Sequence, residues 1–291
     1  MQLWIWRHWR LNLPDDWEML QFSRNPLRGS CAFADRYQFR LEFHWRKVDG
    51  PPDFGRMMSD YEARLKEDGM AHPARVQRGA WQGIEGHEEG VLSTRFGRHF
   101  PEAACLVEVV FLWPEKRDRS LTGTVLDSIA PEPAYADGLR RWRAFGMDCL
   151  VSPAVELDEC DVQPACVELR FCDPKHHTVE RFARRGMVSE WLKLSMAEWL
   201  RVWVGREARV LSSRSVEHGQ HRVESLVAES RAPGLAGACF RYCRSETAAW
   251  ICPQDKRLYS VALTRLARGR YRGGGQAVGS LSCCSGMELR G

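Results

Sequence analysis

The stretch 37-YQFRLEFHWRKVDGPPDFGRMMSDYEARLKEDG-69 changes its hydrophobic period halfway along. In its first part Tyr37, Phe39, Leu41 and Phe43 alternate with Gln38, Arg40, Glu42 and His44. A period of two predicts a strand over 38–46 in a sheet with one buried face. After the Pro51-Pro52 break, Phe54, Met57, Met58, Tyr61 and Leu65 recur at spacings of three and four. That pattern predicts an amphipathic helix over 54–68, with Gly69 placed to stop it.

Further strands are expected on both sides of this pair. Upstream, residues 3–11 read as one strand, 12–16 as a turn, and 17–22 and 30–34 as strands. Downstream come strands at 73–82, 89–96 and 104–113, turns at Gly83 to Gly86 and at 114–120, and a closing element at 121–129. A run of strands around one helix, without βαβ alternation, predicts an antiparallel α+β architecture.

The two halves resemble each other. Pro14 of 13-LPDDWEML-20 corresponds to Pro153, and 31-CAFAD-35 lies over 169-LRFCD-173. The sequence also sets 74-ARV-76 over 208-ARV-210, the Gly86/His87 turn over Gly219/His221, and 113-WPEKR-117 over 252-CPQDK-256. Constant order and nearly constant separation predict a tandem duplication whose repeats pack together. The boundary falls in 130-APEPAYADG-138, giving a first repeat over 1–138 and a cysteine-rich second repeat over 139–291. In the second repeat, 187-MVSEWLKLSMAEWLRVWVG-205 is apolar over much of its circumference. One long helix is expected there, covered by its own sheet and by the other repeat. An exposed aromatic docking face is the alternative.

The opening Leu13-Pro14-Asp15-Asp16-Trp17, the 54–68 helix and the meander ending near Ile129 together resemble the α/β/α sandwich of a known family. That family includes the photosystem extrinsic subunit PsbP and the Mog-type import factor that binds the GTPase Ran. The resemblance covers each repeat in turn and implies an accessory or binding role without catalysis.

Composition narrows the function classes. In 291 residues, 42 Lys and Arg stand against 38 Asp and Glu, a formal +4, with the two signs interleaved. No nucleic-acid groove is expected from such a mixture. No window approaches the roughly 20 apolar residues a bilayer requires, so no membrane insertion is expected. The start MQLWIWRHWRLNL carries arginines inside its apolar stretch, unlike a secretory leader, and a cytoplasmic location is expected.

Eleven cysteines in a reducing compartment read mainly as buried thiols. The zinc alternative gathers Cys239, Cys243, Cys252 and one of the adjacent Cys283 and Cys284, with Cys284 as the fourth ligand. On a straight strand, however, Cys239 and Cys243 would stand about 13 Å apart. His218 and His221 read as a solvated pair on a hairpin. Cys172 with His176 and His177 is the nearest approach to a cysteine nucleophile, and no GxSxG elbow or phosphate-binding glycine loop occurs.

Trp4, Trp6 and Trp9 around Arg7 form either a protein-binding hot spot or a covered segment. Arg268, Arg270 and Arg272 before Gly273-Gly274-Gly275 are the anion-binding candidates. These features favour a non-catalytic protein-binding or structural component that acts on another protein and needs no cofactor. A hydrolase with its site between the repeats and a small-ligand or anion-binding module are the alternatives.

Overall fold

A computed structural model describes residues 1–88, 90–135, 137–173, 175, 177–233, 241–267 and 277–284. The chain divides into two compact units, Met1–Glu132 and Pro133–Gly291. Both are α+β structures dominated by antiparallel sheet.

Unit 1 opens with the hairpin β1 (Gln2–Trp6) and β2 (Trp9–Leu13). Sequence alternation alone predicts one strand over 3–11. Arg7 (φ 50°) and His8 (φ 67°) instead both adopt left-handed conformations, which make the two-residue turn that suits strand twist. Then follow β3 (Glu18–Phe22), β4 (Arg28–Ala34), β5 (Phe39–Lys47), α1 (Phe54–Glu67), β6 (Ala71–Arg78), β7 (Trp81–Glu88), β8 (Val91–Phe100), β9 (Cys105–Trp113), α2 (Arg119–Ser128) and β10 (Ala130–Pro131). Strands β3 to β9 form a seven-stranded sheet in the order β3-β4-β5-β9-β8-β7-β6. β10 pairs with β2.

The alternation in β5 buries Leu41, Phe43 and Trp45. Tyr37, 83% exposed, lies instead in the turn closed by Asp35, whose side chain accepts from the Tyr37 and Gln38 amides. On one face of the sheet lies the β1–β2 hairpin: Trp4 meets Phe33, Trp6 meets Phe22, and Trp9 meets Phe43 and Phe100. α1 covers part of the other face, burying Met58 and Leu65 with Met70 and Ile84. Asp53 caps its first turn by accepting from the Arg56 amide, and Gly69 (φ 95°) ends it.

Unit 2 comprises β11 (Arg140–Ala144), β12 (Met147–Val151), β13 (Glu156–Gln163), β14 (Cys166–Asp173), β15 (Thr178–Arg185), α3 (Val188–Trp191), α4 (Met196–Val204), β16 (Arg209–His218), β17 (His221–Arg231), β18 (Tyr242–Ile251), β19 (Leu258–Leu266) and β20 (Leu281–Ser282). Its large sheet runs β13-β14-β15-β19-β18-β17-β16, the same order as in unit 1. β11 and β12 form a hairpin, and β20 pairs with β12 as β10 pairs with β2.

Strand registers relate the units residue by residue. Trp142 packs edge-on against Phe171 at 5.1 Å, as Trp4 does against Phe33 at 5.3 Å. Both members of the second pair stand 138 residues after those of the first. The bulge between Met19 and Gln21 recurs between Leu157 and Glu159 at that separation.

The turn Pro101 to Ala104 after β8 matches Pro253 to Lys256 after β18, each ending on a left-handed residue. Hence 252-CPQDK-256 corresponds to 100-FPEAA-104, and the expected match to 113-WPEKR-117, which begins on the last residue of β9, fails. Gly86 and His87 lie inside β7, so the true counterpart of the Gly219 turn is Gly79. From the rung Gln77–Gln82 in unit 1 and its equivalent Ser215–Glu224, the β16–β17 hairpin runs two rungs further before turning.

The expected single helix over 187–205 is broken. Met187 is left-handed (φ 52°), Leu192 is extended, and Ser195 restarts the helix through a capping box with Glu198. A strong start signal inside an apolar run thus overrides its hydrophobic continuity. Burial on two sides is not observed either: Leu200 is buried in α4, but Trp191 is 38% and Val202 49% exposed.

Candidate functional site

Each unit carries a distinctive constellation. In unit 1, α1 and the open sheet face border a cleft of about 570 Å³. Phe54, Met57 and Phe96 supply apolar wall, while Arg28, Arg46, Arg64 and Arg95 bring positive charge. Tyr61, projecting from α1, donates a short hydrogen bond to Glu108 and accepts one from Arg95 at 3.2 Å. Burial, reinforced by Glu108, pushes the Tyr61 phenol up, so it stays protonated and a donor. Arg95 is further held by Glu88 in a two-pronged contact at 3.1 and 2.8 Å.

Arg28 and Arg46 differ from these fixed groups. They stand directly opposite each other on β4 and β5, both exposed, and neither has an ion pair among the described residues. Like charges on one rung repel. The equivalent rung of unit 2 is Cys166–Arg185, and there Glu168 neutralises Arg185 at 3.0 Å. The position of Glu168 is taken by Ser30 in unit 1. On this face of unit 2 the stacked indoles of Trp199 and Trp203 lie against Arg181 and Arg185.

In unit 2, His221, Cys252, Cys283 and Cys284 bring one donor atom each to within 4.8 Å of one another. His221 and Cys252 are buried, and both thiols of the adjacent pair are partly buried. The sulfurs of Cys283 and Cys284 are 3.7 Å apart, and His221 Nε2 lies 3.2 and 3.6 Å from them. Trp250 Nε1 donates to Cys283 at 3.3 Å. Such a donor set can hold a metal ion. Burial pushes the Cys283 thiol up and the His221 imidazole down, which favours neutral forms for both in the metal-free protein.

The expected zinc ligands are therefore partly replaced. Cys252 and Cys284 belong to the cluster, whereas Cys243 sits near the far end of β18, about 30 Å away along a straight strand. Cys239 lies outside the described residues. Cys283 and Cys284 follow the end of β20 in a bend, so the opposed side chains expected of a strand do not apply. His221 is 1% exposed, correcting its reading as half of a solvated pair. A histidine one residue after a hairpin turn gives no sign of burial until the fold brings Cys252, Cys283 and Cys284 around it.

The N-terminal hot spot is also corrected. Trp4, Trp6, Trp9 and Arg7 are all buried, because the hairpin lies flat on the sheet with its indoles inward. Arg268, Arg270 and Arg272 fall outside the described residues. So does His176, while burial and Asp158 push the Cys172 thiol up, away from the thiolate a nucleophile requires. The thiols of Cys31 and Cys149 are likewise pushed up by burial and behave as small hydrophobes. No helix among the described residues is long and apolar enough to cross a membrane.

No known family matches the sequence, and no curated protein matches it. Among solved structures, the chain is similar to the apo immunity protein TplEi of T6SS from Pseudomonas aeruginosa. The identity is 10%, over 92% of this chain and 88% of that one, with a TM-score of 0.36. It is also similar to a protein from Bacteroides thetaiotaomicron at 15% identity and a TM-score of 0.31, over 47% of this chain. The match spans about half, 50%, of the Bacteroides chain. Likeness at this level carries no functional argument.

Proposed function

We propose that this chain is a non-catalytic binding component built by duplication of one α+β unit, and that unit 1 holds a carboxylate-bearing segment of a partner protein in the α1 cleft. The observation that carries the binding reading is the Arg28–Arg46 rung. Two exposed guanidinium groups face each other at a cleft without an acid between them, and a bound carboxylate would relieve that repulsion. Phe54 and Met57 supply apolar contact beside the charges, a combination suited to a peptide. The duplication is supported by the shared strand order, the recurring bulge and the paired Trp–Phe contacts.

Selection of the full-length protein against a random dodecapeptide library tests the binding reading. Enriched peptides should be rich in Asp and Glu and bind less tightly as salt rises. The charge-reversed Arg28→Glu/Arg46→Glu variant should bind them at least about tenfold more weakly, or about 1.4 kcal/mol. Peptides without acidic enrichment, or equal binding by the variant, would refute the reading. Binding of acetate or inorganic phosphate as tightly as peptide would replace it with a small-anion site.

A further inference from the structure

We propose that His221, Cys252, Cys283 and Cys284 bind a single zinc ion as a closed structural site of unit 2. The spacing of the donors is the first argument. Tetrahedral zinc with Zn–S of about 2.3 Å and Zn–N of about 2.0 Å sets sulfurs about 3.8 Å apart and sulfur about 3.5 Å from nitrogen. The cluster has 3.7 Å between Cys283 and Cys284, and 3.2 and 3.6 Å from their sulfurs to His221 Nε2. Three thiolates and one imidazole complete four-coordination from protein alone, which leaves no position for substrate or water and makes the site structural.

The second argument comes from the other copy of the fold. Phe100 is the counterpart of Cys252, and Pro131 and Glu132 are the counterparts of Cys283 and Cys284, each 152 residues earlier. In unit 1 that place is filled by aromatic packing: Phe100 meets Trp9 at 5.0 Å and Trp81 at 5.8 Å. Unit 2 has no aromatic at the Phe100 or Trp9 position, where Cys252 and Met147 stand. The two extra rungs of the β16–β17 hairpin extend it to His221, whose ring nitrogen comes within 4.8 Å of the Cys252 sulfur. A change in hairpin length and three separate substitutions thus converge on one point with ligating groups. Buried thiols serving only as hydrophobes would not require the histidine.

Binding displaces the three thiol protons to solvent and leaves His221 neutral, ligating through Nε2. Trp250 Nε1–H then donates to a thiolate, a second-sphere contact that damps the negative charge of the site. The ion links the β16–β17 turn, the β18–β19 turn and the segment after β20. In unit 1 the corresponding region carries the aromatic contacts of Phe100 with Trp9 and Trp81.

The test uses the full-length chain purified with reductant and without chelator. Elemental analysis should find about one zinc per chain. Exchange with Co²⁺ should give the intense d–d bands of a tetrahedral site together with sulfur-to-cobalt charge transfer. His221→Ala and Cys252→Ser should each lower metal content at least tenfold, and Cys243→Ser should leave it unchanged. Removing the metal should lower the thermal midpoint. Substoichiometric zinc together with no tetrahedral cobalt spectrum in fully reduced wild-type protein would overturn the proposal, whether or not the variants fold. Metal retained by folded Cys252→Ser would overturn it equally.

Discussion

Replacing Trp142 by alanine puts the reading of the buried hairpin layer to a quantitative test. Trp142 is 3% exposed and packs edge-on against Phe171 at 5.1 Å. A buried indole removes roughly 150–250 Å² from water, and truncating it to alanine in a core that collapses only partly costs about 3–5 kcal/mol. Loss of the edge-to-face contact adds about 0.5–1.5 kcal/mol. The expected penalty, about 3.5–6.5 kcal/mol, is a large share of the 5–15 kcal/mol typical of a folded domain. Amide exchange in β14 and β15, followed by mass spectrometry where it reports cooperative opening, reads unit 2 directly. Trp191→Ala, at a 38% exposed site, is the comparison and should cost under about 1 kcal/mol. A loss below about 1.5 kcal/mol for Trp142→Ala, or equal losses for both, would show that the hairpin layer is not a packed core. The cycle with Phe171→Ala should return a coupling near the edge-to-face value.

Glu180 is buried, accepts from the Ser152 amide at 3.1 Å, and has its pKa raised by burial above its usual 4.5. A raised carboxylate binds more proton folded than unfolded, so its favourable contribution is complete below the unfolded pKa and disappears as pH rises through the folded value. Denaturant midpoints across pH 4 to 8 should therefore fall less steeply for Glu180→Gln than for wild type; parallel curves would contradict this. On α4, Leu200→Ala should cost about 2–4 kcal/mol and Val202→Asp under about 1 kcal/mol, because only Leu200 is buried. Comparable losses in chemical unfolding would mean that the exposed face of α4 is covered after all.

Residue patterns revealed the elements of unit 1 well where side chains alone decide them. β5, α1 and the Gly69 stop follow from periodicities visible between Tyr37 and Gly69. Backbone conformation was the harder part. Nothing in Arg7-His8 advertises two consecutive left-handed residues, so one strand was expected where there are two. In 187–205 a capping box was hidden within an apolar run. Register was harder still. Short matches such as 74-ARV-76 and 208-ARV-210 follow residue identity, whereas the real correspondence passes through the bulge at Met19, the Trp–Phe pairs and the Pro101 and Pro253 turns. Of the cluster, Cys252 and Cys284 were visible as candidates from cysteine density. His221 was not, because only the folded chain places it beside them.

The longer β16–β17 hairpin also says something about how such a ribbon can change length. Side chains alternate between the two faces, so adding a single rung would turn every residue beyond it inside out. Two rungs restore the parity, and His218 and His221 meet across the new end with no residue nearer the sheet having changed sides. Growth at this tip is therefore quantised: insertions of four residues, two per strand, lengthen its reach while leaving the core code intact. A tip that grows in such steps is a place where a protein can acquire a new side chain at a distance without renegotiating its interior.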